Sequence, residues 1–280
     1  MAREPLTEAV LEATRDLDRR TTREVLEAIH AEDRRALDAV GAVLPAVEAA
    51  SDILTLCLKG GGRWFNVGAG TSGRMGVLDA SEVPPTFGYP HDRVQGVIAG
   101  GPAALTRAVE GAEDDAGAAR EALMARDLVP GDAVVALSAS GRTPFAIAAL
   151  EAARGAGARR IAIACDPDAP LCRAAEVAIA PIVGPEVIAG STRMKGGLAQ
   201  KMVLHLLSTT VMVKLGRVEG NQMTNLMPAS SKLRGRAVRI VASLADIPEE
   251  EAARLIEECN GSANDALARA RERERERGRS

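Results

Sequence analysis

Apolar residues recur at helical spacing through the first sixty positions and then give way to short continuous runs. Thr21 and Glu24 form a T-x-x-E pair ahead of Val25, Leu26 and Ile29. In a capping box the hydroxyl takes a first-turn amide and the glutamate takes the cap amide, so a helix is predicted to start there. A second helix is predicted from Pro45, whose fixed φ suits a first turn, to Leu58, ended by Gly60, Gly61 and Gly62. The apolar runs that follow, at 64–67, 94–99, 133–137, 161–164 and 177–182, are rich in β-branched or small residues. Continuous runs suit strands buried on both faces, as in a parallel sheet. Helix-like stretches, such as 144–154, lie between them. The predicted fold is α/β: a three-layer, doubly wound parallel sheet with N-terminal helices and a small C-terminal helical appendage. A long apolar helix is predicted over 198–214. Further on, Pro248 followed by Glu249, Glu250 and Glu251 makes a helix start and Gly261 a stop. Three segments are expected: N-terminal helices over 1–59, the sheet domain over 60–228 and helices over 229–280.

Composition narrows the function. A chain of 280 residues with 46% hydrophobic residues can bury a sizeable core. Aromatic residues make up 2%, so few platforms exist for stacking bases. The net charge of -3 gives no broad basic footprint, which argues against nucleic acid or an anionic membrane as partner. The alternating run of Arg and Glu at 271–277 cancels its own charge and reads as a solvated helix end. Cys57, Cys165, Cys172 and Cys259 form no C-x-x-C pair and have no histidine at zinc spacing, so reduced thiols and no metal are expected. The first residues hold no apolar signal core, and no apolar stretch approaches the ~20 residues that span a bilayer. The cytoplasm is the expected compartment.

In open α/β sheets ligands bind beyond the carboxyl ends of the strands, and two loops of unusual composition fall there. GAGTSGR, at 68–74, follows the first run. It spells G-x-G-x-x-G, but the next strand ends without the acid that a dinucleotide ribose needs. Gly70, Thr71 and Ser72 instead offer free backbone amides and hydroxyls at a helix start, suited to phosphate, or else to a tight capped turn. SASGRT, at 138–143, follows the third run and supplies the hydroxyls of Ser138, Ser140 and Thr143. Two hydroxyl-rich turns on one sheet edge predict a phosphomonoester gripped from two sides. A third loop, GSTRMK at 190–195, holds Ser191 and Lys195 as candidates for a polar rim, with Ser191 or Thr192 equally suited to capping the helix that follows. Two carboxylates stand out. Glu82 lies in DASEVPPTFG, on a turn expected to be stiffened by Pro84 and Pro85. Glu113 lies among Glu110, Asp114 and Asp115, which by composition read as a solvated acidic helix start. His205 is expected to pack in the core of the apolar helix.

GAGTSGRMGVLDASEVPPTFG, AVEGAEDD, LSASGRTP and GPEVIAGSTRMKGGLAQKMVLHLLST, in this order, resemble the N-acetylmuramic acid 6-phosphate etherases over residues 7–225. GTSGR and SASGRT alone are similar to any sugar-isomerase domain; DASEVPPTFG and GSTRMK are more specific. The resemblance implies the sugar-isomerase fold, a homodimer, a phosphosugar at the strand ends and no cofactor. It implies cleavage of the D-lactyl ether of N-acetylmuramic acid 6-phosphate to N-acetylglucosamine 6-phosphate and D-lactate. Glu82 then matches the proton donor and Glu113 the second acid/base carboxylate. If residues 72–80 are helical, Glu82 lies roughly 15 Å along the helix from the phosphate loop, so it either folds back or serves a partner subunit. Leu198, His205 and Asn225 depart from the family's usual Thr, Asn and Asp. The alternatives are a phosphosugar sensor resembling the glucokinase regulators and an aldose–ketose phosphosugar isomerase.

Overall fold

The structure is a computed structural model that describes residues 5–226 and 231–277. Its strands are β1 (Trp64–Gly68), β2 (Val94–Ile98), β3 (Ala133–Leu137), β4 (Arg159–Ile163) and β5 (Val177–Ile179), all parallel in one sheet of order β2-β1-β3-β4-β5. Each strand falls on a predicted apolar run. β5 is shorter than its run, because Pro181 has no N–H for the ladder and Ile182 is exposed. The helices are α1 (Thr22–Ala42), α2 (Leu44–Lys59), α3 (Gly70–Phe87), α4 (Ala116–Met124), α5 (Pro144–Gly155), α6 (Pro170–Ala174), α7 (Lys195–Lys214), α8 (Ser231–Ala245), α9 (Glu249–Glu258) and α10 (Ala263–Arg277). The predicted capping box forms at α1: the Thr21 N–H donates to the Glu24 carboxylate at 2.8 Å, and the Glu24 N–H to the Thr21 hydroxyl at 3.4 Å.

Alternation along the strands sends neighbouring side chains to opposite faces. Phe65, Val67, Val134 and Ala136 join one core with Leu123 of α4 and Phe145 and Leu150 of α5. On the other face α3 lies flat against the strands: a Cβ on Gly76 would come 3.0 Å from the Asn66 Cβ and 3.6 Å from the Leu137 Cδ1. The buried Asn66 is satisfied there, accepting from Trp64 Nε1 at 2.7 Å and donating to the Gly76 carbonyl at 3.2 Å. The core is built largely from alanine, valine and leucine, as the scarcity of aromatic residues requires.

The chain divides into two compact units: residues up to Ala80 with Asp92–Val211, and Ser81–His91 with residues from Met212 onward. The first holds the sheet together with α1 and α2. These helices, expected as a separate segment, belong with the sheet because α2 packs on β1 and β5. In the second, Ala237, Ile240 and Val241 of α8 form a core with Leu255 and Ile256 of α9 and Ala266 of α10. There Arg271 pairs with Glu219, and Arg273 with Glu258 at 2.9 Å. The Asn225 amide donates to the Arg217 carbonyl at 3.3 Å, a bond a carboxylate could not make at neutral pH. The expected segment boundary at 228–229 lies outside the described residues. No single described helix is long and apolar enough to cross a membrane.

Candidate active site

Strand order reverses between β1 and β3, and a crevice opens at such a switch point. The two strands run level, Gly68 pairing with Leu137, so the loops that follow them leave the sheet side by side. Between these loops lies a cavity of about 370 Å³, within the usual range for a small-molecule site. Gly70, Thr71, Ser72, Ser138, Ser140 and Thr143 all line it. Arg142, Gly190 and Thr192 line it too, as do three acidic residues, Glu8, Glu113 and Asp114.

The second loop is organised by its own hydroxyls. The Gly141 N–H donates to the Ser138 Oγ at 3.0 Å, and the Arg142 N–H to the Ser140 Oγ at 3.3 Å. The Ser138 and Thr143 hydroxyls share a hydrogen bond of 2.9 Å. Gly141 is required here: its φ is +66°, and a Cβ would lie 2.3 Å from the Ala169 Cβ. Behind the turn stands Asp166, 3.8 Å from Arg142 Nη2. In the first loop the buried Ser72 hydroxyl donates to Gln200 Oε1 of α7 at 2.9 Å, which ties the start of α3 to the neighbouring helix.

Glu113 lies in a short turn, Ala112–Asp114, that enters α4. The acidic cluster thus divides its work: Asp115 caps α4, accepting from the Ala118 N–H at 2.9 Å, while Glu113 and Asp114 face the cavity. Glu82 does not line this cavity. It is exposed within α3, in the stretch belonging to the second unit, and not on a turn. α3 runs on through Pro84 and Pro85 to Phe87, and the Gly88 N–H closes the last turn on the Pro84 carbonyl at 2.9 Å.

The third loop differs more from expectation. Ser191 does not line the cavity; Gly190 and Thr192 do. Lys195 is 1% exposed and ion-paired with Glu32 of α1, so its charge is used inside the protein. The Thr192 carbonyl accepts from the Gly197 N–H at 2.8 Å, but the side chain that takes the first amides of α7 is another. The carboxylate of Glu186, itself 0% exposed, accepts from the N–H groups of Lys195 at 3.1 Å and Gly196 at 2.8 Å. Burial pushes the Glu186 carboxyl above its usual range, against the pull of those amides. His205 is exposed, its Nδ1 2.9 Å from the Lys201 carbonyl, and is not a core residue. A second buried acid, Asp79 of α3, accepts from the Ser208 hydroxyl at 3.0 Å, and burial raises it to about 6. Glu8, Glu186 and Asp79 were not singled out in the sequence. Only their separation from any charge run marks the last two.

Residues 114–212 match the SIS domain, and residues 47–154 match the glucokinase regulatory protein N-terminal SIS domain. A phosphoheptose isomerase from Francisella tularensis shares the fold, with a TM-score of 0.53 at 18% identity over 69% of this chain and 100% of that one. Sheet order, loops and cavity therefore define an SIS-domain protein. At sequence level the chain is 50% identical to an N-acetylmuramic acid 6-phosphate etherase of Symbiobacterium thermophilum, over 94% of this chain and 87% of that one. It is 49% identical to its namesake in Pectobacterium atrosepticum, over 91% and 84%. The chain belongs to the N-acetylmuramic acid 6-phosphate etherase family.

Proposed function

We propose that this protein is a carbon–oxygen lyase that cleaves the D-lactyl ether of N-acetylmuramic acid 6-phosphate. The observation that carries the reading is the convergence of GTSGR, SASGRT and Glu113 on one cavity. Thr71, Ser138, Ser140 and Thr143 hold the phosphate through hydroxyls and backbone amides, and Ser72, whose hydroxyl is given to Gln200, through its backbone. The rest of the sugar then lies toward the carboxylates, which repel phosphate and accept hydrogen bonds from hydroxyl and amide groups.

The chemistry follows from the substrate. Ring opening leaves an aldehyde at C1, so the C2 proton is acidic and the ether oxygen at C3 is β to a carbonyl. Glu113 takes the C2 proton, the electron pair forms the C2–C3 double bond, and the C3–O bond breaks toward oxygen. The resemblance gives the protonation of that oxygen, as D-lactate departs, to Glu82; since Glu82 does not line the cavity of its own chain, it does so by folding back or from the second subunit of a dimer. Water then adds at C3 and a proton returns to C2, with the two groups in reversed roles. No electron leaves the substrate, so no redox cofactor is called for. The resemblance also favours a homodimer; the apolar face of α7 is used within the chain itself, where Ala199, Val203, Leu204 and Leu207 are buried. Three buried thiols support a reducing compartment, the cytoplasm.

The test is incubation of the pure protein with N-acetylmuramic acid 6-phosphate and an assay for D-lactate; its absence removes the lyase reading. The match of residues 47–154 to a regulatory protein's domain favours a second reading, a phosphosugar sensor, which binds the sugar and releases no lactate.

A further inference from the structure

Residues 5–21, before α1, are mostly exposed, yet they are pinned to the loop that leads into α7. The Gly190 N–H donates to the Thr7 carbonyl at 3.2 Å. The Thr14 hydroxyl donates to the Val187 carbonyl at 3.0 Å. Thr7 is 0% exposed and Thr14 is buried, while Glu8 between them is exposed and lines the cavity. Two threonines thus anchor a strap that contributes little to the core, and the anchoring sets Glu8 over Gly190, where an added Cβ would lie 2.8 Å from Glu8 Oε2.

A carboxylate at that place needs a use. It repels the phosphate and would equally repel the lactyl carboxylate, and as an ionised group it can only accept hydrogen bonds. What remains is a donor on the sugar. Resting on the phosphosugar reading above, we propose that Glu8 is a substrate-contacting specificity residue. It accepts a hydrogen bond from a hydroxyl or amide N–H of the amino sugar, and the strap around it is part of the active site. Glu8 carries no proton in the reaction; it holds the sugar chain in place between the phosphate loops and Glu113.

The experiment is calorimetry on the full chain with two probes, N-acetylglucosamine 6-phosphate and inorganic phosphate. Glu8→Ala should weaken the phosphosugar about ten- to a hundredfold, the worth of a hydrogen bond to a charged group. Glu8→Gln, whose carbonyl still accepts, should weaken it less. Neither should weaken inorganic phosphate. In turnover, Glu8→Ala should raise KM by a similar factor with kcat changed only a few-fold. Thr14→Val serves as the control for the strap: it keeps the carboxylate and removes an anchor. Unchanged phosphosugar affinity in Glu8→Ala would overturn the inference while leaving the phosphosugar reading intact. Equal loss for both probes would overturn it too, since it would show a merely structural role. A wild-type protein that binds neither probe would overturn the phosphosugar reading itself.

Discussion

Glu113 and Glu82 are chemically alike, but their amides should fail in different ways. Glu113→Gln and Glu82→Gln each keep the side-chain shape and lose the ability to cycle a proton, so each should slow D-lactate release by about a hundred- to ten-thousandfold. Loss of the C2 base should also stop exchange of the C2 proton with deuterium oxide. Loss of the acid should leave some exchange, because the open-chain aldehyde keeps that proton acidic. Mass spectrometry of recovered substrate separates the two: exchange is expected to survive in Glu82→Gln and vanish in Glu113→Gln. Asp79 gives a residue-scale prediction of another kind. Burial, opposed by the Ser208 hydroxyl and the Lys201 charge, raises its folded pKa from 3.8 to about 6. A raised acid stabilises the fold while it is protonated, and that contribution is lost as pH rises through about 6. Asp79→Asn stays neutral and should be the more stable protein at pH 8, by about 2–3 kcal/mol, with the advantage gone near pH 4. Thermal denaturation across that range checks it; an advantage that does not change with pH would contradict it.

At the scale of elements, the strands were the most legible part of the sequence, since continuous apolar runs of strand length admit few other readings in a chain with helical stretches between them. The cap of α1 was equally legible, because T-x-x-E is a local signal whose two hydrogen bonds both form. Reading failed where an element is held by distant partners. Glu186 caps α7 from nine residues upstream of Lys195, a tertiary arrangement with no local pattern. Lys195 read as part of a polar rim because its partner Glu32 lies 163 residues away. Pro84 and Pro85 read as stiffening a turn, yet α3 absorbs them. The SASGRT turn is the element on which phosphate binding most depends. Gly141→Ala introduces both a left-handed φ for a non-glycine residue and a clash with Ala169, and should cost about 1–3 kcal/mol. It should also weaken inorganic phosphate, because the turn that presents Ser138, Ser140 and Thr143 must shift. Unaltered phosphate affinity in this variant would count against the turn as the anion site.

For the whole molecule, a doubly wound sheet followed from alternation alone, and the crevice from the position of the loops at the strand ends. The place of Glu8 in that crevice was not legible, because nothing in a threonine or a glutamate near the N-terminus states which loop it will meet. The assembly is predicted to be a dimer of twice the 29.2 kDa chain. Light scattering at micromolar concentration should show a particle of that size, and a monomer throughout would contradict it. If the ether is lost by elimination and water adds back at C3, the ether oxygen must leave with lactate. The direct measurement is mass spectrometry of both products after turnover in water labelled with heavy oxygen. Cleavage of the C3–O bond puts label in the hydroxyl of N-acetylglucosamine 6-phosphate at C3 and none in the D-lactate. Label found in the lactate, with none in the sugar, would contradict it.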